Sequence, residues 1–208
     1  MSATLFPEHE NLPVGFGYQS DFLNVENQNF LFETLWNAPF WKQEPVRMFG
    51  KWVPQPRLTA YVADPECAYS YAGAVQTPLP WTTELAKLRD HVAAEVSLRL
   101  GRSVSFNAVL LNGYRGGADG MGWHRDNEPE LGGQPVIASV SLGAVRRFSV
   151  RTYGAKKRWD IALEPGSLLW MHGASQAVFE HSVPKTARPV GPRINLTFRM
   201  VYASGAIK

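Results

Sequence analysis

Arg193-Ile194-Asn195-Leu196-Thr197-Phe198-Arg199-Met200 alternates between polar and apolar side chains over its whole length. Successive side chains of a β-strand point to opposite faces. Ile194, Leu196, Phe198 and Met200 therefore share one face, and Arg193, Asn195, Thr197 and Arg199 share the other. Two guanidiniums beside an amide leave two readings. On a solvent face they are ordinary surface residues; on the inner face of a barrel they need an acidic ligand with several carboxylate oxygens.

The same period of two runs back to Gly101. Strand-like stretches at 106–114, 136–142, 147–152, 159–163, 167–171 and 193–202 are separated by glycine and proline, the pattern of a sandwich or barrel. Upstream of Gly101 the period is helical. Leu85, Leu88, Val92, Val96 and Leu100 recur at three- and four-residue steps, with Thr82 or Thr83 to cap and Glu84 in the first turn, which predicts a helix over 82–100. Leu31/Leu35 and Phe32/Trp36 predict a second helix over 24–38, stopped by Pro39. Residues 1–20 hold Pro7, Pro13, Gly15 and Gly17 without a clear period and read as an extended arm. The expected fold is α+β, mainly β: a barrel or jelly roll buttressed by helices.

At 208 residues, with 45% hydrophobic and 19% charged residues, the chain has the size and composition of one globular domain, not of a disordered, collagen-like or disulfide-built protein. A single cysteine, Cys67, excludes an internal bridge and fits a reducing compartment. No basic region followed by an apolar run opens the chain, and no stretch reaches the ~20 apolar residues of a membrane helix. A cytoplasmic, monomeric protein without membrane association is expected. The net charge of +3 is uneven, since residues 1–45 hold six acids against Lys42. Arg146, Arg147, Arg151, Lys156, Lys157 and Arg158 form a cluster uninterrupted by acids. That segment suits a polyanionic partner, or simply a solvated basic hairpin.

Chemistry enters at Gly122-Trp123-His124-Arg125-Asp126. In an extended segment His124 and Asp126 lie on one side, and a later histidine, His181, would complete a two-His, one-carboxylate face suited to non-haem Fe(II). A hydrogen-bonded His–Asp pair is the plainer alternative. Asn112 and Tyr114, also two residues apart, precede this segment; with the polar face of 193–199 they would cradle a small dicarboxylate.

Taken together, Asn112-Gly113-Tyr114, His124-Arg125-Asp126-Asn127-Glu128, His181-Ser182-Val183 and Arg193 to Arg199 resemble the AlkB family of Fe(II)/2-oxoglutarate-dependent nucleic-acid dealkylases. Leu110-Leu111-Asn112, Ala138 to Ala144 followed by Arg146-Arg147-Phe148, and Pro184-Lys185-Thr186 look most like its duplex-repair members. The likeness spans about 45–203, dividing the chain into an N-terminal arm and helix (1–44) and a dioxygenase domain (45–208). The resemblance implies a double-stranded β-helix. It implies that His124, Asp126 and His181 bind iron and that Arg193 pairs with the distal carboxylate of 2-oxoglutarate, helped by Asn112 and Tyr114. Asn195, Thr197 and Arg199 would complete the cosubstrate site, Asn195 and Arg199 beside the metal-proximal carboxylate. Fe(II), 2-oxoglutarate and O2 would demethylate alkylated DNA, with RNA as a second candidate, releasing succinate, carbon dioxide and formaldehyde.

Two lesions of that class, 1-methyladenine and 3-methylcytosine, are cations that prefer a carboxylate and aromatic faces. Glu128 can lie on the same side as Asp126, and by resemblance it reads the base; Tyr69 and Tyr71 match the positions of pocket aromatics. A base must leave the duplex to be repaired. Arg47-Met48-Phe49-Gly50-Lys51 sets an aromatic wedge between cations, where the duplex-repair members carry a Phe-Gly hairpin tip. A 2-oxoglutarate-dependent hydroxylase of a protein or small molecule is the alternative. Trp123 and Trp170 read as core, and His9, His91 and His172 as structural.

Overall fold

The computed structural model describes residues 12–48, 50–67, 69–71, 74–76 and 78–202; at 47, 48, 69–71 and 74–76 only the backbone is described. In chain order the elements are β1 (Phe16–Gln19), α1 (Val25–Trp36), β2 (Pro45–Met48), β3 (Lys51–Pro54), β4 (Leu58–Ala63), β5 (Tyr69–Tyr71) and β6 (Ala74–Gln76). They continue with α2 (Thr83–Leu100), β7 (Ala108–Tyr114), β8 (Met121–His124), β9 (Ile137–Gly143), β10 (Arg146–Thr152) and β11 (Arg158–Leu163). The last are β12 (Leu168–Met171), α3 (Ser175–Val178), β13 (Phe179–Val183) and β14 (Arg193–Arg199).

Two antiparallel sheets form a jelly roll. The larger has the order β1-β12-β9-β14-β7-β4 and the smaller β11-β10-β13-β8, while β2–β3 and β5–β6 are separate hairpins. β14 lies inside the larger sheet and pairs over all seven residues with β7 on one side and β9 on the other. Both of its faces are buried, which settles the two readings of its alternation. Ile194, Leu196 and Phe198 pack with Val109, Leu111, Val140 and Leu142 against Leu31 and Leu35 of α1 and Leu85, Leu88, Val92 and Val96 of α2. Arg193, Asn195, Thr197 and Arg199 face the interior between the sheets.

The helices form where expected. Thr82 accepts from the Leu85 amide at 3.3 Å, and Gly101 ends α2 at φ +62°, a conformation that suits glycine. Each of the four buried apolar side chains of α2 contributes roughly 1.5–3 kcal/mol by leaving water. In α1, Asn24 caps the first turn through Asn27 (2.8 Å). None of the helices among the described residues is long and apolar enough to cross a membrane.

Three expectations are corrected. Residues 16–19 are not part of an aperiodic arm: they pair with β12 as an edge strand, and Arg99 of α2 reaches Gln19 at 3.0 Å. The final strand ends at Arg199 and not at 202, because the side chain of Asn107 takes over the pairing of Val201, accepting from its amide (2.7 Å) and donating to its carbonyl (2.8 Å). Trp170 is buried, but Trp123 is only half-buried, on the outer side of the smaller sheet, and is not core.

Candidate metal centre and cosubstrate cradle

His124 ends β8, Asp126 follows it in the connecting loop, and His181 is central in β13; His181 and His124 are register partners. The three side chains offer ligand atoms that all lie within 4.8 Å of one another. His124 Nδ1 lies 2.9 Å from the Gly122 carbonyl. With the proton on that nitrogen, Nε2 keeps its lone pair and faces Asp126 Oδ1 at 3.8 Å. Burial pushes His124 below its usual pKa and takes His181 down to about 3, so both imidazoles are neutral at physiological pH, as ligands must be.

Burial alone would raise the Asp126 carboxyl. Arg199, His181 and His124 outweigh it and hold the group well below the usual carboxylate range. Arg199 Nη2 donates to Asp126 Oδ2 at 2.9 Å. The Asp126 amide donates to Oε1 of buried Gln176 at 2.9 Å. With backbone and Oδ2 both fixed, Oδ1 is left to face the histidines.

The cradle lies alongside on β14 and its neighbours. Arg193 is fully buried, and its Nη2 donates to Ser141 Oγ (2.9 Å) and Asn195 Oδ1 (2.7 Å). Its Nε and Nη1 are buried with no hydrogen-bond partner among the described residues. Burial lowers its pKa to about 10, which leaves it cationic at neutrality. Asn195 also accepts from Ser139 (2.8 Å) and donates to Thr197 (2.8 Å), so its amide orients Arg193 and lines the cleft at once. The ring of Tyr114 lies between the guanidiniums of Arg146 and Arg193, at 5.6 and 5.2 Å. Asn112 Oδ1 accepts from Arg57 Nε at 2.8 Å, which turns the amide NH2 toward other acceptors. One cleft is lined by His124, Asp126, His181, Asn112, Tyr114, Asn195, Thr197 and Arg199.

Glu128 lies two residues beyond Asp126, immediately before a 3-10 turn, Pro129–Leu131. Its Oε2 is buried without a hydrogen-bond partner among the described residues, and burial, reinforced by the Asp126 charge, raises its pKa. Phe49 lies outside the described residues, as do the side chains of Tyr69 and Tyr71, which occupy β5.

The basic cluster 146–158 is largely occupied by the protein itself. Arg146 is buried and donates to the carbonyls of Gly116, Asp119 and Pro184 at 2.8–3.1 Å. Arg147 and Arg158 approach Asp160, and Arg151 pairs with Glu180. The sequence hid this because both acids lie outside the cluster: Asp160 is two residues beyond Arg158 on β11, and strand pairing brings it to Arg147 and brings Glu180 to Arg151. Arg57, Ser139, Ser141 and Gln176 were not anticipated either, since each reaches the site across at least 50 residues of chain and has no local motif.

The 2OG-Fe(II) oxygenase superfamily profile matches residues 15–199. The chain is 38% identical over 191 residues to the Mus musculus protein named alpha-ketoglutarate-dependent dioxygenase alkB homolog 3, covering 87% of this chain and 64% of that protein. The chain belongs to the AlkB family of 2OG-Fe(II) oxygenases. It is also 40% identical over 164 residues to DNA oxidative demethylase ALKBH2 of Mus musculus, covering 75% of this chain and 66% of that protein. With ALKBH2 of Arabidopsis thaliana it shares 34% over 228 residues, covering 96% and 72%. The chain thus spans just under two thirds of the length of the alkB homolog 3 it matches. Among solved structures, OsALKBH1 superposes with a TM-score of 0.68 at 19% identity, covering 91% of this chain and 100% of that one. A Trichoplax adhaerens prolyl hydroxylase superposes with 0.60 at 15% identity, covering 91% and 84%. These two likenesses establish the jelly-roll fold.

The AlkB family implies Fe(II) and 2-oxoglutarate, and the residues here fit both. Two neutral imidazoles and one carboxylate oxygen converge, which leaves part of a metal's coordination sphere to other ligands. Among the described residues Arg193 is a buried cation with unsatisfied donors and no ion pair, a costly arrangement that a dianionic partner relieves.

Proposed function

We propose that the protein is an oxidative demethylase of N-alkylated bases, 1-methyladenine and 3-methylcytosine, in DNA, with RNA as a second substrate. The observation that carries this is the convergence of His124, Asp126 and His181 in one cleft beside the polar face of β14. Named activities of the relatives, a dioxygenase dependent on alpha-ketoglutarate and DNA oxidative demethylases, support it.

Bound Fe(II) and 2-oxoglutarate supply, with O2, the oxidising power that hydroxylates an N-methyl group, giving succinate and carbon dioxide and releasing formaldehyde from the product. The chain supplies aim. His124, Asp126 and His181 would hold the metal, with Arg199 keeping Asp126 ionised and fixed. Arg193 would take the distal carboxylate through Nε and Nη1, with Asn112 and Tyr114 beside it. Asn195, Thr197 and Arg199 would shape the metal-proximal end. Glu128 would accept from the exocyclic amine of a cationic base through its unpartnered Oε2, with Tyr69 and Tyr71 as flanking aromatics.

The hairpin β2–β3 suits the delivery of a base. It springs from the rim of the cleft, where Gly120 donates to the Pro56 carbonyl (2.9 Å) and Arg57 meets Asn112. Lys51 to Pro54 are exposed on both faces, Trp52 to 61%. Phe49, which falls in the sequence between β2 and β3, would fill the gap left by a flipped base.

The test is mass spectrometry of methylated single- and double-stranded DNA and RNA incubated with the protein, Fe(II), ascorbate and 2-oxoglutarate. Loss of the methyl mass, with one succinate formed per methyl removed, is the expected result. Succinate formation without demethylation of any oligonucleotide would overturn the nucleic-acid assignment. Phe49→Ala is expected to impair duplex repair far more than single-strand repair; equal impairment would remove the wedge.

A further inference from the structure

β8 is an edge strand of four residues with one neighbour among the described strands, β13, and the pairing between them slips between His181↔His124 and Val183↔Met121. Register is less firmly specified along an irregular edge strand than in a central one, and a one-residue slip turns every side chain to the opposite face. The ends of β8 are tied by the Gly120 amide to the Pro56 carbonyl (2.9 Å) and by the Asp126 amide to Gln176 (2.9 Å), which leaves the middle of the strand, where it carries a metal ligand, to its side-chain contacts. The larger sheet adds no strand pairing there, because β8 belongs to the other layer.

Those contacts lie on the outer face of the smaller sheet. Alternation places Trp123 outward when His124 points inward, and Glu180 outward when His181 points inward. Arg151 of β10 is the register partner of Glu180. Its Nε donates to Glu180 Oε1 at 2.5 Å, while its guanidinium lies 4.1 Å from the ring centroid of Trp123. One side chain thus runs from β10 across β13 to β8 and holds the residue preceding each histidine ligand. A guanidinium can do this because its edge bonds a carboxylate while its face stacks on an indole. The guanidinium of Arg125, between His124 and Asp126, lies over the ring of Tyr153 at 4.3 Å.

We infer that Arg151 is a positioning residue that sets the spacing of His124 and His181 from outside the barrel. The contact differs from an ordinary surface ion pair, which is worth little. It has two partners on two strands, and the side chains of Arg151 and Glu180 are 37% and 12% exposed. The inference rests on reading the triad as a metal site, and it is independent of the substrate.

The test is Co(II) titration of the full chain, followed by d–d absorption and equilibrium dialysis, alongside melting of the metal-free protein. Arg151→Met is expected to weaken Co(II) about tenfold, as loss of an outer partner of a metal site does, and to shift the d–d bands, with melting lowered by only a few degrees. Arg151→Lys is expected to recover less than half of the affinity, since an ammonium cannot bond and stack at once, whereas Trp123→Phe keeps a stacking face and recovers more. Wild-type Co(II) affinity and spectrum in Arg151→Met would overturn the inference. So would a fall in melting beyond ten degrees accompanying the lost affinity, which would make Arg151 a general stabiliser. Absence of Co(II) binding by the wild-type chain would overturn the inference together with the metal-site reading.

Discussion

The two sheets contribute to the cleft in opposite ways. In the larger sheet the polar side chains stand on β14, a central strand held in unbroken register from both sides. In the smaller sheet the histidines stand on β13 and on β8, a short edge strand whose pairing slips, and Asp126 lies beyond the strand altogether. A cradle for a carboxylate needs fixed spacing along one strand, which a regular ladder provides. A metal site needs three groups to converge from different directions, which a bent edge and a loop allow. Regularity and convergence are thus assigned to separate layers, and the irregular layer has to be stiffened by side chains.

The sharpest break between the layers comes from the ligands. His124→Ala and His181→Ala are expected to abolish demethylation while far-UV circular dichroism stays unchanged. Asp126→Ala should in addition lose about 3–5 kcal/mol of stability, because it leaves Arg199 buried without its carboxylate. Asp126→Asn separates the two effects. Near-wild-type turnover in any two ligand variants would end the triad assignment.

Acid is expected to act next, and on the smaller sheet. In the folded metal-free protein His181 stays neutral down to about pH 3, whereas in the unfolded chain it takes a proton near its ordinary value of 6.5. Between those values the unfolded state binds more protons, so stability falls as pH drops from 6.5 toward 3. His181→Asn should flatten that part of the melting-versus-pH curve; an unchanged slope would mean that other groups govern it.

In the larger sheet, Arg193→Ala is expected to weaken 2-oxoglutarate about 30–150-fold by calorimetry, the loss of a charge-assisted contact of ~2–3 kcal/mol. Arg193→Lys should restore little. Arg193→Met should bind no better and yet melt higher than wild type without cosubstrate, since a buried charge lacking a counter-ion gives way to an apolar chain. Lower melting there would show that the Ser141 and Asn195 bonds outweigh the burial cost.

Glu128→Gln should reduce repair of 1-methyladenine and 3-methylcytosine about five- to tenfold more than repair of neutral 3-methylthymine, the difference between charged and neutral hydrogen bonds. Equal losses would place Glu128 in support of Asp126 instead. Smallest of all, Arg158→Ala on the outer face should change stability by less than about 1 kcal/mol, because its partner Asp160 is solvent-exposed and shared with Arg147.

What was legible in the sequence follows the same division. β14 could be read because its alternation is complete, and α2 because Thr82 and Gly101 mark its ends and its apolar residues keep a helical step. That His124, Asp126 and His181 would converge was legible too, from their residue types and order. The strands that carry the histidines were not: β8 and β13 have four and five residues and no distinctive alternation. β4 was missed although it pairs with β7 along its whole length, because Leu58 to Ala63 is a mostly apolar run. Arg146 looked like surface charge because its partners are three backbone carbonyls, which no side-chain pattern reveals. Arg57, Gln176 and the outward pair Trp123–Arg151 depend on tertiary contact alone.

Cys67, the only cysteine, is 2% exposed, and its Sγ lies 3.9 Å from the Val201 carbonyl, while the Tyr61 hydroxyl donates to the Cys67 carbonyl at 2.6 Å. Burial, with help from Asp64 and Glu66, raises its thiol to about pKa 11. Oxidation and alkylation of cysteine proceed through the thiolate. At neutral pH the folded chain offers almost none, so its thiol chemistry is silent: a maleimide has to wait for the burial of Cys67 to be lost. A cysteine introduced on the exposed hairpin at Trp52 would therefore be the one reactive thiol, ready for a probe or a crosslink without first removing the native residue.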